Sequence, residues 1–506
     1  MEDILSNLAL GLATAASPEN LMYCFIGVLL GTLVGVLPGL GPTATTAMLL
    51  PITYPLDPTP ALIMLAGIYY GAQYGGSTTA ILINLPGESS SAVTSVDGYQ
   101  MARRGRAGQA LAAAAIGSFF AGTVATFVIA LLAPPLTEVA LKFGPPEYFS
   151  LVVLGLVCSV ALAHGSVLKA LAMIVLGLML GLVGTDIYTG TPRFTLDQLE
   201  LADGVSFVAV AAGVFGIAEI LRNMENEKTR DPVIAAVKSL MLSKEDIKRI
   251  IGPILRGTVL GSLLGVLPGG GAILASFAAY TIEKRVSRHP EEFGHGAIEG
   301  VAAPESANNA GAQTSFIPML TLGIPANPVM ALMIGAMIIK GIVPGPDVAR
   351  SQPELFWGII ASMWIGNVML VILNLPLIGI WVRLLRVPYH TLFPAIIAFA
   401  SIGVYSVSNN PFDLYAIALF GAVGWLLLKL DCEPAPLLLG FVLGPLLEEH
   451  LRRAMIISRG DPTIFVNFAE RPISATLLAF SVITLIIVLL PGISKKRNKV
   501  FEETED

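Results

Sequence analysis

Residues 27–42 read GVLLGTLVGVLPGLGP, and residues 257–271 read GTVLGSLLGVLPGGG. Gly27, Gly31, Gly35, Val36, Leu37, Pro38, Gly39 and Gly41 recur as Gly257, Gly261, Gly265, Val266, Leu267, Pro268, Gly269 and Gly271, all at an offset of 230 positions. A second match follows in each half. Gly71-Ala72-Gln73 returns as Gly311-Ala312-Gln313 at an offset of 240, and Leu85-Pro86 faces Ile324-Pro325 at 239. Chance rarely preserves so many ungapped identities, so the chain is a duplication whose second half gained about ten residues between its motifs.

The surroundings decide what kind of duplication this is. Of the 506 residues 54% are hydrophobic and 13% charged, with a mean hydropathy of +0.75. That is about half the charge of an ordinary soluble domain. Apolar runs close to the roughly 20 helical residues needed to cross a bilayer lie at 21–37, 109–133, 148–163, 167–183, 205–221, 356–380, 414–428 and 473–490. Backbone groups in lipid need internal partners, so the spans must be helical. The expected fold is an all-α polytopic membrane protein of about 10–12 spans. It divides into an N-terminal interfacial helix (1–20), a first membrane repeat (21–222), a cytoplasmic connector (223–251), a second repeat (252–491) and a cytoplasmic tail (492–506). Ile4, Leu5, Leu8 and Leu12 share one face of the first segment, opposite Glu2, Asp3, Ser6 and Asn7, as an interfacial helix requires. Met1 to Ala16 lacks the basic start of a secretory leader.

Basic loops suggest how the halves are oriented. Lys284, Arg285 and Arg288 follow the first motif of the second half, where the first half has none at 54–60. After the second motif the asymmetry reverses: Arg103, Arg104 and Arg106 stand against Arg350 alone at 341–353. Short basic loops mark the cytoplasmic side, so equivalent loops face opposite sides and the repeats are expected to be inverted; a parallel repeat is the alternative. Lys228, Arg230, Lys238, Lys244, Lys248 and Arg249 make the connector cytoplasmic, and Lys495, Lys496, Arg497 and Lys499 put the tail on the same side. Arg383 and Arg386 fit another inner loop, whereas Arg452, Arg453 and Arg459 do not fit the count of spans.

Helix breaks inside apolar sequence point to a site. Proline removes a helical donor and glycine permits unusual dihedrals, so breaks or re-entrant turns are expected at Pro38, Gly39, Gly41, Pro86 and Gly87, and at Pro268, Gly269, Gly271 and Pro325. Irregular backbone at membrane depth is tolerated only inside protein or beside water, and paired breaks in two halves mark a transport site. Polar residues beside them would be rejected by lipid: Thr43, Gln73, Ser77, Thr78, Thr79, Asn84 and Ser89, then Ser306, Asn308, Asn309, Gln313 and Thr314. These are the candidate substrate-binding residues, since hydroxyl and amide groups can donate to a carboxylate and half-helix N-termini add positive dipole. Interhelical polar packing is the plainer reading of each taken singly. Glu88 and Glu305 lie among them. An ionised carboxylate at membrane depth costs about 2.5 to 3.5 kcal/mol on insertion scales, and a like-charged substrate would be repelled. Both are therefore assigned to cation coupling or to ordering the broken helices. A structural carboxylate at a helix N-terminus is the other reading of Glu305. Glycine at every fourth position signals close helix packing.

Other chemistries lack their signatures. Cys24, Cys158 and Cys432 are far apart, and His164, His289, His295, His390 and His450 form no HExxH pair, so no metal beyond a coupling sodium is expected. Gly39-Leu40-Gly41 begins a GxGxxG pattern but has Ala44 in the last glycine position, and no GxxxxGK[ST] occurs. Energy must then come from a gradient or another subunit. No nucleophile and base stand at diagnostic spacing, so the chain is not expected to be an enzyme and no cofactor is called for.

The stretches Gly35-Val-Leu-Pro-Gly-Leu-Gly-Pro-Thr43, Tyr70-Gly-Ala-Gln-Tyr-Gly-Gly-Ser77, Asn84-Leu-Pro-Gly-Glu88, Ala303-Pro-Glu-Ser-Ala-Asn-Asn309 and Gly323-Ile-Pro325 resemble the large membrane subunit of the bacterial tripartite tricarboxylate transporters, in order and over nearly the whole chain. The resemblance implies an inner-membrane permease working with a small four-helix membrane subunit and a periplasmic substrate-binding protein. It implies uptake of carboxylates on a cation gradient, sodium being the family expectation and protons staying open. Importing a di- or trianion into a cell negative inside costs about 2.3 kcal/mol per charge per 100 mV, which co-transported cations offset. A stand-alone carrier or channel is the alternative.

Overall fold

The computed structural model describes residues 2–162, 166–225, 237, 239–267, 271–385, 387 and 389–490. The first half is built from α1 (Glu2–Ala15), α2 (Pro18–Gly35), α3 (Pro42–Leu49), α4 (Pro58–Ile83), α5 (Ala92–Met101), α6 (Ala107–Ala140), α7 (Pro145–Leu162), α8 (Val167–Gly181), α9 (Phe207–Ala211) and α10 (Ala218–Glu225). The second half contains α11 (Lys244–Leu264), α12 (Gly271–Val286), α13 (Glu299–Thr314), α14 (Phe316–Leu322), α15 (Pro328–Ile339), α16 (Val348–Ser351), α17 (Pro353–Asn374), α18 (Ile378–Leu384), α19 (Tyr389–Ser408), α20 (Phe412–Lys429), α21 (Ala435–Ile457) and α22 (Pro472–Leu489). The all-α polytopic class is what the composition demands. Six of the described helical stretches are long and apolar enough to cross a membrane, and five shorter apolar helices accompany them. Among the described residues one strand pair, Gly184–Thr185 with Pro192–Arg193, was not anticipated.

The glycine ladders do the packing their spacing suggests. A Cβ on Gly27, Gly31 or Gly35 would fall on the backbone of Met64, Ile68 or Ala72 of α4, and one on Gly257, Gly261 or Gly265 on that of Ala303, Ala307 or Gly311 of α13. Contacts that climb in step on both helices mean that α2 runs parallel to α4, and α11 parallel to α13. The chain must therefore return between them, through α3 and the 3₁₀ turn Leu50–Thr53 in one half and through α12 in the other. In the first half it turns back at 36–41; in the second, α11 ends at Leu264 and α12 opens at Gly271. Gly31→Ala is expected to destabilise the fold by about 1–3 kcal/mol, because the carbonyl of Ile68 occupies the space. Gly379→Ala on α18, where nothing lies within 4 Å, should be neutral or slightly stabilising; thermal unfolding in detergent compares the two.

The second breaks also match. Asn84 ends α4 in the left-handed region at φ 56°, and Gly323 ends α14 at φ 70°, 239 positions on. Non-helical segments follow through Glu88 and Asn327 before helix resumes.

Between the halves, α4 and α13–α14 pass in opposite directions. Tyr69 lies against Phe316, Gln73 bonds Asn308 and Ser77 bonds Glu305, so one helix climbs as the other descends. The contacts come in exchanged pairs. Asn308 donates to Glu88 Oε1 at 2.8 Å, and Asn327 donates to the Tyr69 hydroxyl at 3.3 Å; the ladder contacts, Gly31 on Ile68 and Gly261 on Ala307, set a packing offset of 239 in α4 and α13, which carries Glu88 to Asn327 and Tyr69 to Asn308. Likewise Gly296 packs on the backbone of Met101 while Lys340 bonds the carbonyls of Tyr54 and Leu56. The loops before α4 and before α13 consequently lie at opposite ends of the antiparallel pair.

Several expectations change. Helices α4, α13, α15 and the first half of α21 were not among the apolar runs, yet they are buried almost throughout; their polar residues are shielded by protein, not lipid. The run 356–380 is interrupted, since α17 ends at Asn374 and α18 begins at Ile378. Pro304 does not break α13. The basic residues that spoiled the span count are largely neutralised: Arg452 pairs with Asp186 and Glu448, both at 2.6 Å, and Arg453 with Glu449 at 2.6 Å. Arg193 of the short hairpin joins the cluster through Glu448 at 2.8 Å. The Tyr188 N–H, and after it the Arg452 guanidinium, hold the Asp186 carboxyl below the usual aspartate range. Helix α1 lies against α17, Gly11 meeting the Trp357 carbonyl. His164, Lys228, Arg230, Lys238, Pro268, Gly269, Arg386 and the tail from Lys495 to Lys499 lie outside the described residues.

Candidate functional site

The break segments of the first half meet each other. A Cβ on Gly87 would lie 2.6 Å from the Gly76 Cα, and one on Gly41 would lie 2.8 Å from the Gly87 carbonyl. Segment 85–88 therefore threads between α4 and the start of α3, at a separation that only glycine allows. This carries Glu88, half-buried, to α13.

Around it a polar seam joins the two halves. Glu305 is 1% exposed and accepts from Thr94 Oγ1 at 2.6 Å and from Ser77 Oγ at 2.8 Å. Asn308, one turn further along α13, donates to Glu88 and accepts from Gln73 Nε2 at 3.4 Å. Asn309 donates to Ser118 Oγ of α6 at 2.7 Å and back to the Glu305 carbonyl at 3.0 Å. Among the described residues no ion pair includes Glu88 or Glu305. Hydroxyl and amide donors alone serve these carboxylates, and a buried carboxylate so served leaves room for a cation or a proton. A small cleft with room for about one water molecule runs past Glu305, lined by Tyr74, Ser77, Thr78, Ser118 and Asn374 among Ile81, Leu111, Ala114 and Ala115.

The other candidates divide. Thr78, Thr79, Ser306 and Thr314 turn their hydroxyls onto carbonyls of their own helices, at 3.1, 2.8, 2.7 and 3.0 Å, a local pairing that hides a hydroxyl in apolar surroundings. Gln73 and Gln313 align in the two sequence motifs, and the Oε1 of each is buried without a hydrogen-bond partner. Asn84 and Ser89 are exposed and Thr43 is half-buried, all outside the seam's hydrogen bonds. Pro38 and Gly39 occupy the turn after α2, Gly39 at φ 79°; Gly41 caps α3, Gly271 opens α12, and Pro86 and Pro325 sit in the equivalent breaks.

Helix α5 was missed. Its Thr94 reaches Glu305, and one turn on, fully buried Asp97 accepts the N–H groups of Gly294, Gly296 and Ala297 at 2.9, 2.7 and 2.9 Å through Oδ1, and the Tyr280 hydroxyl at 2.9 Å through Oδ2. The first half thus clamps the loop that leads into α13. A lone acid in Val93-Thr-Ser-Val-Asp-Gly-Tyr99 was the available signal. The pairing of Tyr74 with Asn367, at 3.2 Å, had no signal at all.

Apolar helices with paired breaks around a buried, uncompensated carboxylate seam define a multi-pass membrane protein of the transporter class. Residues 21–439 match the TctA family of tripartite tricarboxylate transporters, and the chain belongs to that family of transporters. An "Uncharacterized 52.8 kDa protein in TAR-I ttuC' 3'region" of Agrobacterium vitis is 69% identical over 505 residues, 100% of either chain. An "Uncharacterized protein in TAR-II ttuC' 3'region" of the same organism is 69% identical over 245 residues, 48% of this chain and 100% of its own. No solved structure matches.

Proposed function

We propose that this chain is the large permease subunit of a binding-protein-dependent secondary transporter, importing a small carboxylate together with sodium or protons across the bacterial inner membrane. The observation that carries the reading is the seam itself: Glu305 and Glu88, without basic partners among the described residues, held where α4 and the break segment after it meet α13 of the other half. Family membership supports the tricarboxylate class and the two partners, a small membrane subunit and a periplasmic binding protein. Substrate oxygens are assigned to amide and hydroxyl groups of the seam and to backbone N–H groups at the breaks, and the carboxylates to the co-transported cation.

The repeats are read as inverted, with the C-terminus cytoplasmic. Antiparallel α4 and α13 and the exchanged contacts support this, since repeats related by an axis along the membrane normal would keep equivalent helices parallel. Cysteines at Thr59 and Arg288, in the equivalent loops of the two halves, are expected to label from opposite sides of the membrane. Labelling from one side only would remove the inversion.

Uptake by proteoliposomes holding the chain and its small partner tests the function. Carboxylate accumulation should need the binding protein and an inward cation gradient, and collapse of the sodium and proton gradients should abolish it. Equal uptake without binding protein would favour the stand-alone carrier.

A further inference from the structure

We propose that the cleft beside Glu305 is a binding site for a monovalent hard cation of the sodium type, and that Asn374, at the break after α17, supplies one of its ligands. The inference deepens the transport reading and rests on it for the coupling role of the cation.

Asn374 is the last residue of α17, before the turn at 375–377. It is 4% exposed; its Nδ2 donates to the Leu370 carbonyl at 3.0 Å, and its Oδ1 is buried without a hydrogen-bond partner in a residue that lines the cleft. Asn367, two turns earlier on the same face, shows the contrast. Its Oδ1 takes the Tyr74 hydroxyl, and its Nδ2 donates to the Phe119 carbonyl at 2.8 Å and to Thr123 Oγ1 at 3.1 Å. An unused buried amide oxygen costs about 1–3 kcal/mol, a cost that a bound cation would remove.

The rest of the lining is the chemistry such an ion needs. Glu305, served by the hydroxyls of Thr94, Ser77 and Ser118, keeps acceptor capacity to spare among about four positions. Ser77, Thr78, Ser118 and Tyr74 add neutral oxygens. A helix C-terminus presents the negative end of its dipole, and unwound carbonyls with half-helix C-termini are a recurring sodium environment in transporters. One carboxylate among neutral oxygens suits a single positive charge. A transition metal would want nitrogen or sulfur, and no group of three or more His, Cys, Asp or Glu that could hold a metal occurs among the described residues. The ligands come from α4 and α6 of one half and α13 and α17 of the other, so an ion there would bind the halves to each other.

The full chain in nanodiscs tests this by sodium chloride titration against choline chloride at constant ionic strength. Tryptophan fluorescence is the readout, because the Trp381 indole bonds the Leu373 carbonyl beside Asn374 at 2.8 Å. A saturable response to sodium, absent with choline, is expected. N374A and T78V should each raise the half-saturating concentration about tenfold or more, and N374D should restore a saturable response. Unchanged half-saturation in both N374A and T78V, or a response to pH alone, overturns the site. Sodium-driven uptake with an unaltered sodium requirement in N374A overturns it while leaving transport standing. Sodium binding that depends on Asn374 in a chain that moves no carboxylate upholds the site and removes the transport reading.

Discussion

Glu305→Gln should shift the sodium or pH dependence of uptake while leaving expression and assembly with the small subunit intact. The substitution keeps the shape of the side chain and removes its charge. The glutamine Oε1 can still accept from Ser77 or Thr94, which now contact the two carboxylate oxygens at 2.8 and 2.6 Å. What it loses is the one full negative charge in the cleft. In a site of low dielectric that charge dominates the attraction for a cation, so the expected loss in apparent cation affinity is about a hundredfold, roughly 2.7 kcal/mol. Uptake measured against sodium concentration and pH checks it. Full uptake with unchanged cation dependence would exclude coupling through Glu305, whereas failure to assemble would assign it to structure.

Asp97→Ala should do still more harm, through the fold. Three backbone N–H groups, of Gly294, Gly296 and Ala297, converge on one carboxylate oxygen. Each loses its partner when the side chain is cut, at about 1–3 kcal/mol for a buried donor, and the Tyr280 hydroxyl loses its own. The loss should reach about 3 kcal/mol or more and release the loop that sets the start of α13. Asp97→Asn should recover most of it, since its oxygen can keep the three N–H groups and its amide can donate to the Tyr280 hydroxyl. Thermal unfolding and uptake by the three proteins decide the matter. An Asp97→Ala protein as stable as the unaltered chain would show that the clamp carries nothing.

Much of this was legible before any coordinates, and the reason is local. Glycine at every fourth position forces close helix approach wherever it is buried, so the ladders at Gly27, Gly31 and Gly35 and at Gly257, Gly261 and Gly265 announce helix pairs. Proline and glycine act on their own backbone, so the breaks at Pro86 and Pro325 could be read residue by residue. Hydropathy misled where burial by protein replaced burial by lipid. Helix α4 carries Gln73, Ser77, Thr78 and Thr79 and fails as a lipid-facing span, yet most of it is enclosed by other helices. Arg452 and Arg453 looked like free charge although Glu448 and Glu449 stand four residues before them on α21; Asp186, 266 positions away, could not be assigned from spacing.

The sequence by itself determined the membrane class, the duplication, the glycine-packed helices and the positions of the breaks, because each follows from the period or backbone chemistry of neighbouring residues. Only the tertiary structure decided that Glu305 takes its donors from Ser77 and Thr94, that Asp97 holds a loop some 200 positions away, and that Asn374 leaves an unused oxygen beside the cleft. Those facts depend on which helices run antiparallel and in what register they cross. That is a property of packing between distant segments, and no local pattern encodes it.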